Sequence, residues 1–316
     1  MITRANREAF GQSLVEIGRT NPRVVVFDAD VCTSTRTALF RDAFPERFIQ
    51  MGIAEQNMVC AAAGCSTVAG LIPWVSTFGA FASRRALDQV SLSVAYPRLN
   101  VKINGSYAGI PTGMAGATHQ AMQDVAIMRS LPHMTVIDPV DAVETRLAVR
   151  AATEYNGPVY LRTTRHESPV ILDPETYRFT WGRALLLRAG GDVTLIGTGT
   201  MSVLALEAAE VLATRGVNAR VLHVHTVKPL DEEAILSAAR ETGRIVTVEN
   251  HSIIGGLGSA VCETVCERCP VPVHRVGFPD IFGESGDDGQ IYDAMGLSVR
   301  NIASHVMQVL NTRMNG

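Results

Sequence analysis

From Gln56 to Ser83 no side chain is charged; Glu55 opens the run and Arg84 closes it. A run of this kind either crosses a membrane or is buried against protein. Gly64, Gly70 and Pro73 interrupt it, and its Ala, Ser and Thr outnumber its Leu, Ile and Phe. That content argues against a span and for a small-residue helix buried on all sides, at a subunit interface. A carboxylate at the mouth of such a segment is costly unless a dedicated partner meets it. Glu55 is therefore a candidate catalytic acid or base; the bland alternative is a helix cap favoured by the helix dipole.

The 316 residues suffice for two domains of ordinary size. A net charge of −3 with 19% charged residues gives no electrostatic reason to expect nucleic acid or an anionic membrane as partner. The first residues, Met1 to Glu8, are polar and lack an apolar signal core, and the six cysteines form no disulfide-like framework. Both features point to the cytoplasm. Cys262, Cys266 and Cys269 have the C-x3-C-x2-C spacing of an iron–sulfur loop, but their context reads as helix. All three then share one face, where Cys behaves as a small hydrophobe.

Strand-like apolar runs alternate with amphipathic segments. This predicts an α/β chain of two doubly wound parallel-sheet domains, 1–170 and 183–316. Strands are expected at 24–27, 71–75, 99–103, 134–137 and 158–161 in the first, and at 193–196, 217–222, 245–248 and 273–276 in the second. Helices fall between them, including 4–20, 78–92, 121–130 and 141–155. Residues 165–182, where periodicity lapses around Pro169 and Pro174, read as the linker. Gly197-Thr198-Gly199 lacks the third glycine of a dinucleotide fingerprint and reads as a tight turn. Gly286-Asp287-Asp288-Gly289 reads as a solvent-facing turn rather than a metal loop.

A glycine-rich loop, 104–118, ends in Gly116-Ala117-Thr118-His119-Gln120. Loops of this length inside compact domains are usually functional, and glycines let a backbone approach a ligand. His119 suits proton transfer near neutral pH, or else caps the following helix. Glu55, Phe78 with Phe81, and Thr118-His119-Gln120 follow one another, each at a strand–helix junction of the first domain. In that order, and in the motifs Gly52-Ile53-Ala54-Glu55-Gln56-Asn57-Met58, Thr77-Phe78-Gly79-Ala80-Phe81 and 116–120, they resemble the pyrimidine-binding domain of transketolases. Val248-Glu249-Asn250-His251 and Gly255-Gly256-Leu257-Gly258-Ser259 resemble the transketolase C-terminal domain, so the likeness covers nearly the whole chain.

The resemblance implies a thiamine-diphosphate enzyme of the transketolase/transaldolase class. Glu55 would hydrogen-bond the cofactor's pyrimidine and favour the tautomer that lets the thiazolium carbon lose its proton. Phe78 and Phe81 would stack on the pyrimidine, and His119 would contact the donor's oxygens and help move protons. Arg165, Arg4 and Ser34 match positions that contact a sugar phosphate, although each also fits a surface salt bridge or cap. The Gly-Asp-Gly signature of the domain that binds diphosphate through Mg2+ or a similar ion is absent. The chain is therefore expected to be the C-terminal subunit of a split enzyme, with metal and diphosphate held by an N-terminal subunit in a heterotetramer of two chains of each kind. Tyr107 and Ala115 replace a histidine and an aspartate of the family pattern, which implies an altered donor or acceptor. Alternatives are a keto-acid-using relative, either deoxyxylulose-phosphate-synthase-like or a 2-oxoacid dehydrogenase β subunit, and a non-catalytic assembly subunit.

Overall fold

The computed structural model describes residues 2–110 and 112–311; the expected domain ends at Met1 and at 312–316 lie outside the described residues. The first part of the chain contributes β1 (Thr3–Ala5), β2 (Val24–Asp28), β3 (Phe48–Gln50), β4 (Ile72–Phe78), β5 (Lys102–Ser106), β6 (Thr135–Ile137), β7 (Val159–Thr163) and β8 (Glu167–Pro169). The second contributes β9 (Leu185–Arg188), β10 (Val193–Gly197), β11 (Ala219–His223), β12 (Thr226–Lys228), β13 (Ile245–Ser252) and β14 (Val273–Phe278). They form sheets of order β12-β6-β7-β5-β4-β2-β3 and β14-β13-β10-β11-β9, and β1 pairs with β8 in a separate ribbon.

The chain is α/β, with two mainly parallel sheets. All five residues of β2 are buried, as befits a parallel strand covered on both faces. Val25 and Phe27 pack with Met58 and Ala62 of the helix Glu55–Val68. Val24 and Val26 face the other way, onto Phe10, Leu14 and Val149. The side-chain period of two thus feeds one core on each face of the sheet.

Several elements depart from the pattern read in the sequence. Each sheet carries one antiparallel edge strand, β12 beside β6 and β9 beside β11; neither is among the strands expected from the sequence. The expected linker contains β8, whose residues pair with β1 from Thr3↔Pro169 to Ala5↔Glu167. The strand placed at 99–103 runs from Lys102 to Ser106 instead. Its polar residues are buried, and Asn104 is satisfied within the sheet: Asn104 Nδ2 donates to Ser76 Oγ at 2.8 Å, and Thr163 Oγ1 donates to Asn104 Oδ1 at 2.9 Å. The helix Glu55–Val68 is covered on one face only, with Gln56, Asn57, Cys60 and Val68 exposed. Within this chain it is therefore not enclosed on all sides. The helical segment after β4 contains wide π-helical turns at Phe81–Arg85 and Val90–Ala95.

The two parts of the chain are locked together by buried polar groups. The β12 strand adds an edge to the first sheet from the second half of the sequence. Arg162, 1% exposed, donates to Asp124 at 2.9 Å, to Asp138 at 2.7 Å and to the Asn250 carbonyl at 3.0 Å. His223 Nε2 lies 2.7 Å from Glu144 Oε2, and Ser202 Oγ lies 2.7 Å from His223 Nδ1. Burial would raise the Glu144 carboxyl, but His223, with His225 and Tyr177, brings it down to about 2. No helix among the described residues is long and apolar enough to cross a membrane.

Next to this network, burial lowers the His225 imidazole to about 4 from an ordinary 6.5. Below pH 6.5 the unfolded chain takes up a proton that the folded chain refuses. The stability held by neutral His225 is thus complete above pH 6.5 and falls until about pH 4. Thermal melting of His225→Gln should lack that decline, on the order of 3 kcal/mol across the window; a difference profile flat in pH would contradict the assignment.

Candidate active site

Gly52, with φ +68°, turns the chain out of β3, and Glu55 begins the next helix. Glu55 is 1% exposed. Both carboxylate oxygens accept from Arg85 Nη1, at 2.8 and 2.9 Å. The Arg85 side chain is 39% exposed, and its guanidinium carbon sits 4.2 Å from the Phe81 ring centroid. Phe81 and Arg85 are four residues apart in a helical segment, so they share a face. The sequence reading did not single out Arg85; its spacing from Phe81 was the available signal.

The aromatic residues assemble because neighbouring parallel strands end together. Phe78 closes β4 and pairs in register with Ser106, the last residue of β5, so Tyr107 emerges beside it. The two rings stack at 4.4 Å between centroids. Phe81 lies 5.8 Å from Phe78 and meets the edge of His119 at 5.2 Å. Tyr107 has φ +58°, a left-handed conformation uncommon outside glycine and often found at functional sites. His119 Nδ1 lies 2.8 Å from Thr118 Oγ1. The next helix starts only at Asp124, so His119 does not cap it.

Two guanidinium groups flank Tyr107. Arg7 Nη1 donates to Tyr107 Oη at 2.8 Å and to the Ser34 carbonyl at 2.9 Å. The Arg165 guanidinium carbon lies 5.5 Å from the Tyr107 ring centroid. Ser34 and Arg165 are thus brought to the aromatic cluster. Arg4 is not: it belongs to β1, opposite Ser168, and lines a separate groove with Gln12, Glu16 and Arg146. The guanidinium at the site comes from Arg7, one helical turn further on. Ala115 is exposed at the tip of the glycine-rich loop.

The second domain braces that loop. Asn250 Oδ1 accepts from the Ile110 amide at 3.2 Å, the Gly286 amide donates to the Gly113 carbonyl at 3.1 Å, and Gln120 Nε2 donates to the Glu284 carbonyl at 3.1 Å. The acidic turn is more than a solvent-facing bend. Asp287 caps the helix Asp288–Ala294, while Asp288 packs against Gly113 and lies 2.7 Å from His166 Nε2. Cys262 and Cys266 lie on the helix Leu257–Arg268 and Cys269 caps it; Cys266 is exposed. Among the described residues, no group of three or more His, Cys, Asp or Glu is placed to hold a metal ion.

Together these elements define a two-domain α/β chain that offers a buried carboxylate, a flat aromatic surface and two guanidinium groups at the C-terminal edge of its first sheet, where such sheets bind ligands. The pyrimidine binding domain model of transketolase matches residues 3–170, and the transketolase C-terminal domain model matches residues 182–302. The 6-deoxy-6-sulfo-D-fructose transketolase subunit of Clostridium sp. is 47% identical over 303 residues, 96% of this chain and 94% of the relative. An apulose-4-phosphate transketolase subunit of Phocaeicola vulgatus is 37% identical over 304 residues, 96% of this chain and 97% of the relative. A solved split gene transketolase, described as an inactive beta4 tetramer, superposes with a TM-score of 0.90 at 48% identity and covers 97% of this chain and 98% of its own. The chain belongs to the transketolase family, as a C-terminal subunit of the split, two-component kind.

The bracing of the loop depends on a residue without a side chain. Gly109 has φ +75°, and an added Cβ would lie 2.1 Å from Asn250 Oδ1. Gly109→Ala should therefore cost about 2–4 kcal/mol in chemical denaturation, from backbone strain plus overpacking. A loss below about 0.5 kcal/mol would show that the close approach to Asn250 is not maintained in solution.

Proposed function

We propose that the chain provides the pyrimidine-binding half of a thiamine-diphosphate-dependent transketolase, and that a partner subunit provides the diphosphate- and metal-binding half. The observation that carries the reading is the continuous contact path Glu55–Arg85–Phe81–Phe78–Tyr107 at one sheet edge. An aminopyrimidine fits it: a flat heteroaromatic ring needs an aromatic face and a carboxylate for its ring nitrogen. The hydrogen bonds to Glu55 come from a half-exposed side chain rather than from the buried backbone, so a ligand can exchange with them.

When bound, thiamine diphosphate supplies a nucleophilic carbon for carbon–carbon cleavage. The chain's residues do the rest. Glu55 holds a proton at the pyrimidine ring nitrogen, and Phe78 and Phe81 keep water off the ring's face. His119, edge-on to Phe81, moves protons at the sugar oxygens. Arg7 and Arg165 grip an anionic group at the substrate's far end. The exposed half of the helix Glu55–Val68 is uncharged, and together with exposed Ile53, Val68, Leu92 and Tyr96 it supplies a face for the partner in a heterotetramer of two chains of each kind.

The substrate class we infer is a ketose that ends in a sulfonate or phosphate. Relatives named for a 6-sulfo and a 4-phospho sugar support it, as do two guanidinium groups placed within reach of one tyrosine. Ala115 and Tyr107 favour a sugar other than the family's ordinary ketose phosphates, because a methyl group cannot bond the hydroxyl an aspartate would.

In the reconstituted pair, Glu55→Gln should lower kcat at least about a hundredfold while leaving assembly intact; unchanged turnover would remove Glu55 from the chemistry. Arg7→Ala and Arg165→Ala should each raise KM for an anionic ketose about ten- to a hundredfold and move kcat far less. Arg4→Ala, by contrast, should leave KM unaltered. Equal KM effects at Arg4 and Arg7 would contradict the placement of the anion.

A further inference from the structure

Glu55 and Phe81 are the two groups that a bound aminopyrimidine would need, and one side chain of the chain itself engages both. Arg85 gives its Nη1 to both oxygens of Glu55, at 2.8 and 2.9 Å, and lays its guanidinium 4.2 Å from the Phe81 ring centroid. A guanidinium shares the relevant chemistry with an aminopyrimidine: both are planar, both donate N–H to a carboxylate, and both stack on an aromatic face. The neighbouring Arg84 is differently employed, donating to the Ala80 and Thr118 carbonyls at 3.4 and 3.1 Å. Of the two consecutive arginines, only Arg85 points into the site.

We propose that Arg85 is a built-in surrogate for the cofactor's aminopyrimidine. It neutralises Glu55 and covers Phe81 while the site is empty of cofactor, and it is displaced when the pyrimidine enters. The inference rests on the reading of Glu55 and Phe81 as the pyrimidine site. Burial explains why a surrogate is needed. Glu55 is 1% exposed at the mouth of an uncharged segment, and a buried carboxylate without a donor destabilises the fold. Exposure explains why the surrogate can leave: Arg85 keeps 39% of its side chain in solvent, so its guanidinium regains water when it swings out. Its location in the wide π-helical turn Phe81–Arg85 fits this role, since such turns recur at functional sites.

Displacement has a measurable consequence, because cofactor binding works against the Arg85–Glu55 contact. A partly exposed ion pair of this kind corresponds to roughly a fivefold to tenfold change in an equilibrium constant. Thiamine diphosphate is titrated calorimetrically into the chain reconstituted with its diphosphate-binding partner. Arg85→Ala should bind the cofactor about five- to tenfold more tightly than the wild-type pair, Arg84→Ala should not, and Glu55→Gln should bind it more weakly. A melting-temperature double-mutant cycle between Glu55→Gln and Arg85→Ala should show coupling in the cofactor-free pair and none in the loaded pair. Arg85→Ala that binds equally or more weakly, or coupling that persists on loading, would overturn the proposal. Cofactor binding unaltered by Glu55→Gln would instead remove the pyrimidine-site reading on which it stands.

Discussion

A carboxylate buried at the start of an uncharged helix has to be met by a donor, and much of the first domain is arranged around that requirement. The C-terminal ends of β3, β4 and β5 bring Glu55, Phe78 and Tyr107 to one edge because neighbouring strands are parallel and in register. The helical segment after β4 then carries Phe81 and Arg85 back over the same spot. Glu55 is stabilised by a half-solvated cation on a long side chain rather than by fixed backbone amides. That choice leaves the carboxylate available to another planar donor, which a cap or a buried network would not.

Among the described residues the second domain contributes no side chain to the carboxylate–aromatic cluster, yet it braces the loop beside that cluster. Asn250, Ser285 and Asp288 press against Gly109, Gly116 and Gly113, and each would collide with a side chain there. The loop is therefore held closely on one side while its other side, with Met114 and Ala115, stays exposed. The bond from buried Arg162 to the Asn250 carbonyl and the His223–Glu144 contact hold the two domains in that relation. A breakable buried ion pair is a weak source of stability, but His223 and Glu144 come from different domains, and Asp124 and Asp138 hold the Arg162 guanidinium where it meets Asn250.

Much of this was legible in the sequence, and the exceptions have physical reasons. The α/β alternation followed from long apolar runs such as Val24-Val25-Val26-Phe27, and Glu55 from its isolation among small residues. The edge strands β9 and β12 were not: β12 is three residues with no apolar run, and the three leucines of β9 follow directly on the irregular stretch that reads as linker. The end of β5 was misread as loop because Asn104 and Ser106 are polar, although Asn104's partners, Ser76 and Thr163, lie on the adjacent strands. Of the candidate anion-binding residues, Arg165 lies against Tyr107 and Ser34 is joined to it through Arg7, whereas Arg4 is not at the cluster. Arg7, one turn along the same helix entry, takes its place, a shift of phase that a motif match cannot resolve. The left-handed Tyr107 and the Arg85–Glu55 contact are properties of folded backbone and side-chain reach, and no residue type announces them.

The central claim is that this chain holds only the pyrimidine end of its cofactor and needs a second subunit for the rest. Isothermal titration of thiamine diphosphate with Mg2+ present, into the chain alone and into the chain with its diphosphate-binding partner, tests it most directly. The account predicts weak or undetectable binding to the chain alone and an affinity at least about a hundredfold higher for the pair, because joining two half-sites turns the second contact into an intramolecular one. Equally tight binding to the isolated chain would contradict it.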